Sequence, residues 1–337
     1  MAQAVMVQAV KLRLKSVRPQ KSESLKQLWV VPIKGESHDE PDYRLLEDDV
    51  LDKVKVTEVD ESGQVPTLRV SNKLDAMVYL MDGQELVGAK QNRILNTDVL
   101  VAAKQTLEVP VSCVERGRWG YRQRNFTPGK SGSISMRSRK NQRVYESLKK
   151  SASHDADQVK VWEDVDESIA CAKAFSPTHA LNDAYSQRQA ELNAARRDLK
   201  LPDDAVGIAV FHGEQFLGLD LFDRHETLGY FWNSLLDSYV IERLHIAPAQ
   251  EDKADSPGTD NVKLVLEQAG AAAWERFDSP GEGDDYRLEH ETLSGSSLVW
   301  QDKVAIHLQL FPKVTPGEDD HRDTRRPRVR RPYLDPQ

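Results

Sequence analysis

The sequence predicts an α+β fold: a mainly antiparallel β-rich N-terminal part, with helices packed on a sheet in the C-terminal half. Three observations carry that expectation. Short β-branched or apolar runs recur through the first third at a spacing of about ten residues, as in antiparallel strands joined by turns. An amphipathic helical period begins after Ser176 and returns at Leu228 and at Val262. Between those periods, two apolar runs flank His212-Gly-Glu-Gln215 and predict a hairpin.

In chain order, residues 1–25 show no clear period, and residues 11–26 are basic enough to read as solvated surface. Residues 1–27 are therefore set apart as an N-terminal arm. Residues 28–33 form an apolar strand ending in a Gly-containing turn. Residues 54–59 and 67–72 alternate with period two and are linked through Glu61-Ser-Gly-Gln64. Residues 77–80, 99–102 and 109–114 are further strand-length runs. From 116 to 143 there are nine Lys or Arg and no Asp or Glu, with Gly, Ser and Pro interspersed. That composition predicts a long basic loop, with a helix starting near Gln142.

Ser176 followed by Pro177 reads as a helix start, and Leu181, Tyr185, Leu192, Ala195 and Leu199 continue the period as far as Pro202. Asp223 with Glu226 three residues on resembles a capping box. The helix it would start has Leu228, Phe231, Trp232, Leu235, Leu236, Tyr239, Val240 and Leu244 on one broad face. Residues 248–260 read as a linker and 262–277 as another amphipathic helix. Residues 286–291, 297–300 and 304–311 close the chain as strands. The expected layout is one domain over 28–311, made of a β-rich part (28–115), the basic loop (116–143) and an α+β part (144–311). A flexible tail at 312–337 carries a basic cluster at 322–331.

Composition excludes several function classes. With 337 residues the chain can bury a sizeable core, and its net charge of -8 argues against nucleic-acid binding over the whole surface. Two cysteines, Cys113 and Cys171, cannot build a disulfide framework or a four-thiolate zinc site. The histidines show no metal-ligand spacing, so no metal site is expected, and nothing in the sequence assigns a cofactor. No apolar run approaches the roughly 20 residues that span a bilayer. The N-terminus lacks a secretory pattern, so a cytoplasmic protein without a membrane partner is expected.

The stretch from Tyr79 to Trp119 holds the densest polar chemistry. Glu85, Lys90, Gln91, Asn92, Arg93 and Asn96, then Glu115, Arg116 and Arg118, fall at strand ends and loops, where a rigid scaffold can present them. This is no Walker A loop, because Lys90-Gln91 precedes a strand and lacks the following Ser or Thr. Arg and Lys complement phosphate or carboxylate, while Asn and Gln read amide or sugar edges; the same residues can equally brace a tight strand connection. Cys113 in an apolar strand reads as a buried, inert thiol. Arg93 needs an anionic partner, either Glu85 or Glu115 in an ion pair or a ligand phosphate. Trp119, Tyr121 and Phe126 among the cations can stack on bases, although a solvated mobile loop is the commoner outcome of such a run. No complete catalytic signature is present, and enzyme activity is left open.

Three strings point to a family. Asp82-Gly-Gln-Glu-Leu-Val-Gly-Ala-Lys-Gln-Asn-Arg-Ile-Leu-Asn96, Val109-Pro-Val-Ser-Cys-Val-Glu-Arg-Gly-Arg-Trp119 and Gly218-Leu-Asp-Leu-Phe-Asp223 resemble the ARPP domain family. That name stands for ARG and rhodanese-phosphatase-superfamily-associated protein, where ARG is ADP-ribosylglycohydrolase. The resemblance covers about residues 28–311 and implies a link to ADP-ribose or NAD-derived metabolites. Its positions here are Glu85, Lys90, Gln91, Asn92, Arg93, Glu115, Arg118 and Trp119. In the binding or processing reading, Arg93 and Lys90 meet a diphosphate, Asn92 and Gln91 meet the ribose or amide, and Trp119 stacks on a ring. Glu85 or Glu115 would be the general base of any reaction, through a pKa raised by burial. The alternative is a non-catalytic interaction or scaffold protein whose basic loop and tail contact an acidic protein or a nucleic acid. Convergence of Glu85, Arg93, Glu115 and Trp119 on one concave pocket would favour the first reading, and their spread along a convex edge the second.

Overall fold

The computed structural model describes residues 8–25, 28–60, 66–245 and 256–313. The α+β class holds, and every strand pairing except one is antiparallel. The chain begins with α1 (Gln8–Ser16), β1 (Arg18–Pro19), β2 (Glu23–Leu25), β3 (Leu28–Lys34) and β4 (Tyr43–Arg44). The β-rich region follows: β5 (Val54–Glu58), β6 (Thr67–Asn72), β7 (Met77–Leu80), β8 (Gln84–Gly88), β9 (Arg93–Leu95), β10 (Val99–Val101), β11 (Thr106–Cys113) and β12 (Phe126–Ser131). Four helices come next: α2 (Ile134–Ser151), α3 (Gln158–Cys171), α4 (Leu181–Ser186) and α5 (Gln189–Asp198). The hairpin β13 (Ala205–His212) and β14 (Gln215–Phe222) leads into α6 (His225–His245) and α7 (Thr259–Ala271). Four strands end the fold: β15 (Ala273–Asp278), β16 (Asp284–Glu289), β17 (Leu293–Trp300) and β18 (Val304–Pro312).

A nine-stranded sheet is the centre of the molecule. Its order is β1-β3-β13-β14-β18-β17-β16-β15, with β2 also paired to β3. The early strand β3 reaches the distant hairpin, with Val31 opposite Ala209 and Ile33 opposite Gly207. Both faces of the sheet are covered. Val31, Ile33, Ala209 and Leu221 pack with Val10 and Leu14 of α1 and Val262 of α7. Val30, Ile208, Val210 and Phe222 belong to the other core, with Val144 of α2 and Phe231, Leu235 and Tyr239 of α6. Burial on both faces explains why β13 reads as a continuous apolar run and not as an alternating one.

The β-rich region folds as a six-stranded sheet, β12-β8-β9-β11-β6-β5, beside a three-stranded one, β10-β7-β4. They enclose a third core that includes Val56, Leu68, Leu86, Leu95, Val99, Val109 and Phe126. β11 changes partner midway: residues 106–110 pair with β6 and residues 111–113 with β9. That switch lets the short β9 sit inside the sheet.

Several expectations are corrected. The basic stretch 116–143 is not one long loop, because it contains β12 and the first half of α2. Ser133 caps α2 by accepting from the Met136 amide, and Ala152 ends it in the left-handed conformation. The buried face of α2 carries Arg137, Lys140 and Asn141 among Ile134, Val144 and Leu148, which hides its apolar period. Residues 11–26 are not merely solvated surface, since Arg13 on α1 is buried and donates to the carbonyls of Glu36 and Asp223 at 2.7 and 3.1 Å. The helix expected from Ser176 is split into α4 and α5, and Ser176 accepts from the Ala180 amide at 2.8 Å before the first begins. Asp223 does not cap α6 with its carboxylate, which instead accepts from Tyr43 at 2.6 Å and from Arg224 at 3.0 Å. The helix expected at 262–277 stops at Ala271, and Trp274 and Phe277 lie in β15. The turn 61–64, the linker residues 248–255 and the tail from 314, with its basic cluster, lie outside the described residues. No helix among the described residues is long and apolar enough to cross a membrane.

Candidate functional site

The predicted site is built on the hairpin of β8 and β9. Glu85 lies opposite Ile94 and Leu86 opposite Arg93, so strand alternation sends Glu85 and Arg93 to opposite faces. The turn between them is tight. Gly88 has φ +147°, and a Cβ there would stand 2.5 Å from the Asn125 carbonyl oxygen. Glycine is what lets residues 120–125 lie directly on this turn.

Asn92 is the hub on the Glu85 side. Its Nδ2 donates to Glu85 Oε1 at 3.1 Å and its backbone N–H to Glu115 Oε2 at 3.2 Å. Its Oδ1 accepts from Arg118 Nη2 at 3.1 Å. Arg118 grips Glu115 with Nε at 2.9 Å and Nη2 at 2.6 Å, and Thr178 Oγ1 adds a third donor at 3.1 Å. Burial alone would raise the Glu115 pKa, but the hydrogen bonds and charge of Arg118 carry it below the ordinary carboxylate value. Glu85 is the opposite case. Burial pushes its carboxyl up to about 7, with only partial relief from Asn92 and the Lys130 backbone. Its Oε2 has no hydrogen-bond partner among the described residues. The remaining donors of Arg118 go to the carbonyls of Ala89 at 2.6 Å, Gly88 at 3.2 Å and Gly120 at 2.8 Å, so this guanidinium pins the surface loop to the turn.

The outer side of that loop is an aromatic and cationic surface. Trp119 and Tyr121 are 53% and 52% exposed, and the Lys90 ammonium stands 5.2 Å from one ring centroid and 5.3 Å from the other. Arg122 and Arg124, next along the loop, are exposed, and Arg122 Nη2 faces Glu115 Oε1 at 3.7 Å.

Arg93 belongs elsewhere. Its Nη1 donates to the carbonyl and the side-chain oxygen of Gln91, both at 3.2 Å, and its Nη2 faces Glu58 Oε1 at 3.7 Å. Its expected partners were Glu85, Glu115 or a ligand; the anion it meets is Glu58 on β5. Gln91 Oε1 also accepts from the Cys113 thiol at 3.3 Å, and burial pushes that thiol up, in keeping with an inert cysteine. The structure therefore gathers Glu85, Asn92, Glu115 and Arg118, places Trp119 on the surface with the enclosed Lys90 against its ring, and turns Arg93 and Gln91 inward. Glu85, Arg93, Glu115 and Trp119 do not converge on one pocket. Two clefts, of about 320 and 290 Å³, lie near the start of α6 and between β12 and α6, and none of the eight predicted residues lines either.

A larger polar constellation escaped the sequence reading. His307 on β18 holds Asp98 with Nδ1 at 3.0 Å and Asp220 with Nε2 at 3.2 Å. Asp220 also binds Arg137, and Asp82 binds Lys140 and Gln309. Tyr79 donates to Asp98 at 2.7 Å, and Arg287 pairs with Asp285 at 2.6 Å. The signal was present as His307 and Gln309 two residues apart in an apolar strand, where alternation aims both one way. Among the described residues no group of three or more His, Cys, Asp or Glu could hold a metal ion.

These features define an α+β protein with a buried carboxylate–amide–guanidinium hub beneath an exposed aromatic and basic surface. Residues 16–311 match the model of the ARG and Rhodanese-Phosphatase-superfamily-associated Protein domain, and the chain belongs to that family. The family's name records an association with ADP-ribosylglycohydrolases. No curated protein and no solved structure matches the chain.

Proposed function

We propose that this chain binds an ADP-ribose-like nucleotide on the surface formed by Trp119, Tyr121, Arg122 and Arg124, with the enclosed Lys90 behind the rings. The observation that carries the reading is the pair of half-exposed rings against one enclosed ammonium, in a loop that also carries the exposed Arg122 and Arg124. Large rings left in water are good stacking partners for a base, and guanidinium groups suit phosphate oxygens. The family's association with ADP-ribosylglycohydrolases supplies the nucleotide class.

Binding is a better fit to this surface than bond cleavage. Glu115 is ionised and clamped by Arg118, so it is a poor proton acceptor. Glu85, with a carboxyl near 7, has the chemistry of a general acid or base, yet it is fully enclosed. Titration calorimetry with ADP-ribose tests the reading. Trp119→Ala should weaken binding at least about fivefold, the lower range for loss of one stacked base, with the melting temperature of the free protein nearly unchanged. Equal affinity in wild type and variant would contradict it.

A further inference from the structure

The Lys90 side chain is enclosed, at 8% exposure, while the two rings it touches are half open to solvent. The ammonium therefore backs the platform from within, and a ligand reaches the rings on their open surfaces. An aromatic ring has a negative face that attracts cations. Here that attraction is already satisfied by Lys90 at 5.2 and 5.3 Å. A ligand ring stacked at about 3.5–4 Å would lie at most about 9 Å from the ammonium, with protein and aromatic rings between them in place of bulk water. Arg122 and Arg124 follow in the same loop and are exposed, with Arg122 Nη2 3.7 Å from Glu115 Oε1.

We infer that this platform selects its nucleotide by the charge of the base, accepting uncharged aromatic bases that carry phosphate and rejecting bases with a cationic ring. The inference rests on the reading that a nucleotide occupies the platform, and it names the class of base within that reading. It runs opposite to the usual aromatic cage, in which unbacked rings recruit a cationic ligand. The cation in the protein takes the role that the ligand's cation has in such cages.

The test compares three nucleotides on the full chain by titration calorimetry near neutral pH. AMP has a neutral base, N6-methyl-AMP adds a neutral methyl group, and N1-methyl-AMP adds a methyl group and a positive ring charge. Wild type should bind AMP and N6-methyl-AMP alike and N1-methyl-AMP at least about threefold more weakly, as expected for one like-charge pair at this range. Lys90→Met, which keeps the aliphatic stem, should bring N1-methyl-AMP to within about twofold of AMP. Equal wild-type affinity for AMP and N1-methyl-AMP would overturn the inference and leave nucleotide binding standing. So would equal weakening by both methyl groups, which would show a steric effect. Failure of AMP and of ADP-ribose alike to bind would remove the underlying reading as well. Because N1 methylation also removes a hydrogen-bond acceptor, loss of discrimination in Lys90→Met, or in Lys90→Gln where that variant does not fold, is the deciding result, and unchanged discrimination would overturn the inference.

Discussion

Arg93 and Glu58 are both enclosed, and at 3.7 Å their charges face each other just beyond hydrogen-bond range. Among the described residues, neither Glu58 oxygen has a hydrogen-bond partner, and nor do Arg93 Nε and Nη2. Such a pair adds little net stability over an apolar one, but removing or misplacing one partner is costly because the other charge stays buried. Arg93→Lys keeps the charge and loses the planar fork that reaches Gln91 and Glu58 together. We expect it to lower folding stability by on the order of 2 kcal/mol while ADP-ribose affinity stays within about twofold. Denaturant melts and calorimetry on this variant check both halves. Unchanged stability with lost affinity would place Arg93 back at the ligand. The local sequence could not decide this, because Glu58 is 35 residues upstream and only the β8–β9 register shows which way Arg93 points.

Among the elements, strands β5, β6, β7, β10 and β11 and the helix α6 were legible. Their apolar residues repeat at the periods the structure uses, as at Val54 and Val56 on β5 or Leu228, Leu235 and Tyr239 on α6. The first half of α2 was not legible, and the reason is physical. Its inward face carries Arg137 and Lys140, whose charges are met by Asp220 and Asp82 from distant strands. A sequence reading takes a run of cations for solvated surface, which is right on average and wrong where the fold supplies buried carboxylates. β8 and β9 were hidden for a similar reason, since Glu85 and Arg93 are ionisable residues buried within strands. Of the predicted site, the link between Glu85, Asn92, Glu115 and Arg118 was legible as a cluster, but its division into a buried hub and an exposed platform was not.

Across the whole molecule, the nine-stranded sheet and the β-rich region meet at the His307 network. Asp82, Asp98, Asp220 and Asp285 are set against Arg137, Lys140 and Arg287, so His307 supplies the fourth positive charge. Burial opposes that charge, but Asp98 and Asp220 outweigh it and raise the His307 pKa from 6.5 to about 9. A raised histidine pKa stabilises the fold fully below about 6.5, and the contribution is lost as pH climbs through about 9. Glu85 acts in a lower window: its raised pKa makes stability decline as pH rises from about 4.5 through about 7. We therefore expect the melting temperature to fall between about pH 6.5 and 9 in wild type, and this part of the slope to vanish in His307→Gln. A flat wild-type profile over that window would contradict the arrangement. Occupation of the loop surface by a nucleotide can be read out by tryptophan fluorescence. Trp119 is more than half exposed, whereas Trp232 and Trp274 are buried. Adding ADP-ribose should quench wild-type emission with a saturable profile, and Trp119→Phe should abolish most of that quenching while still binding. Quenching of the same size in Trp119→Phe, or none in wild type at saturating ADP-ribose, would contradict the account.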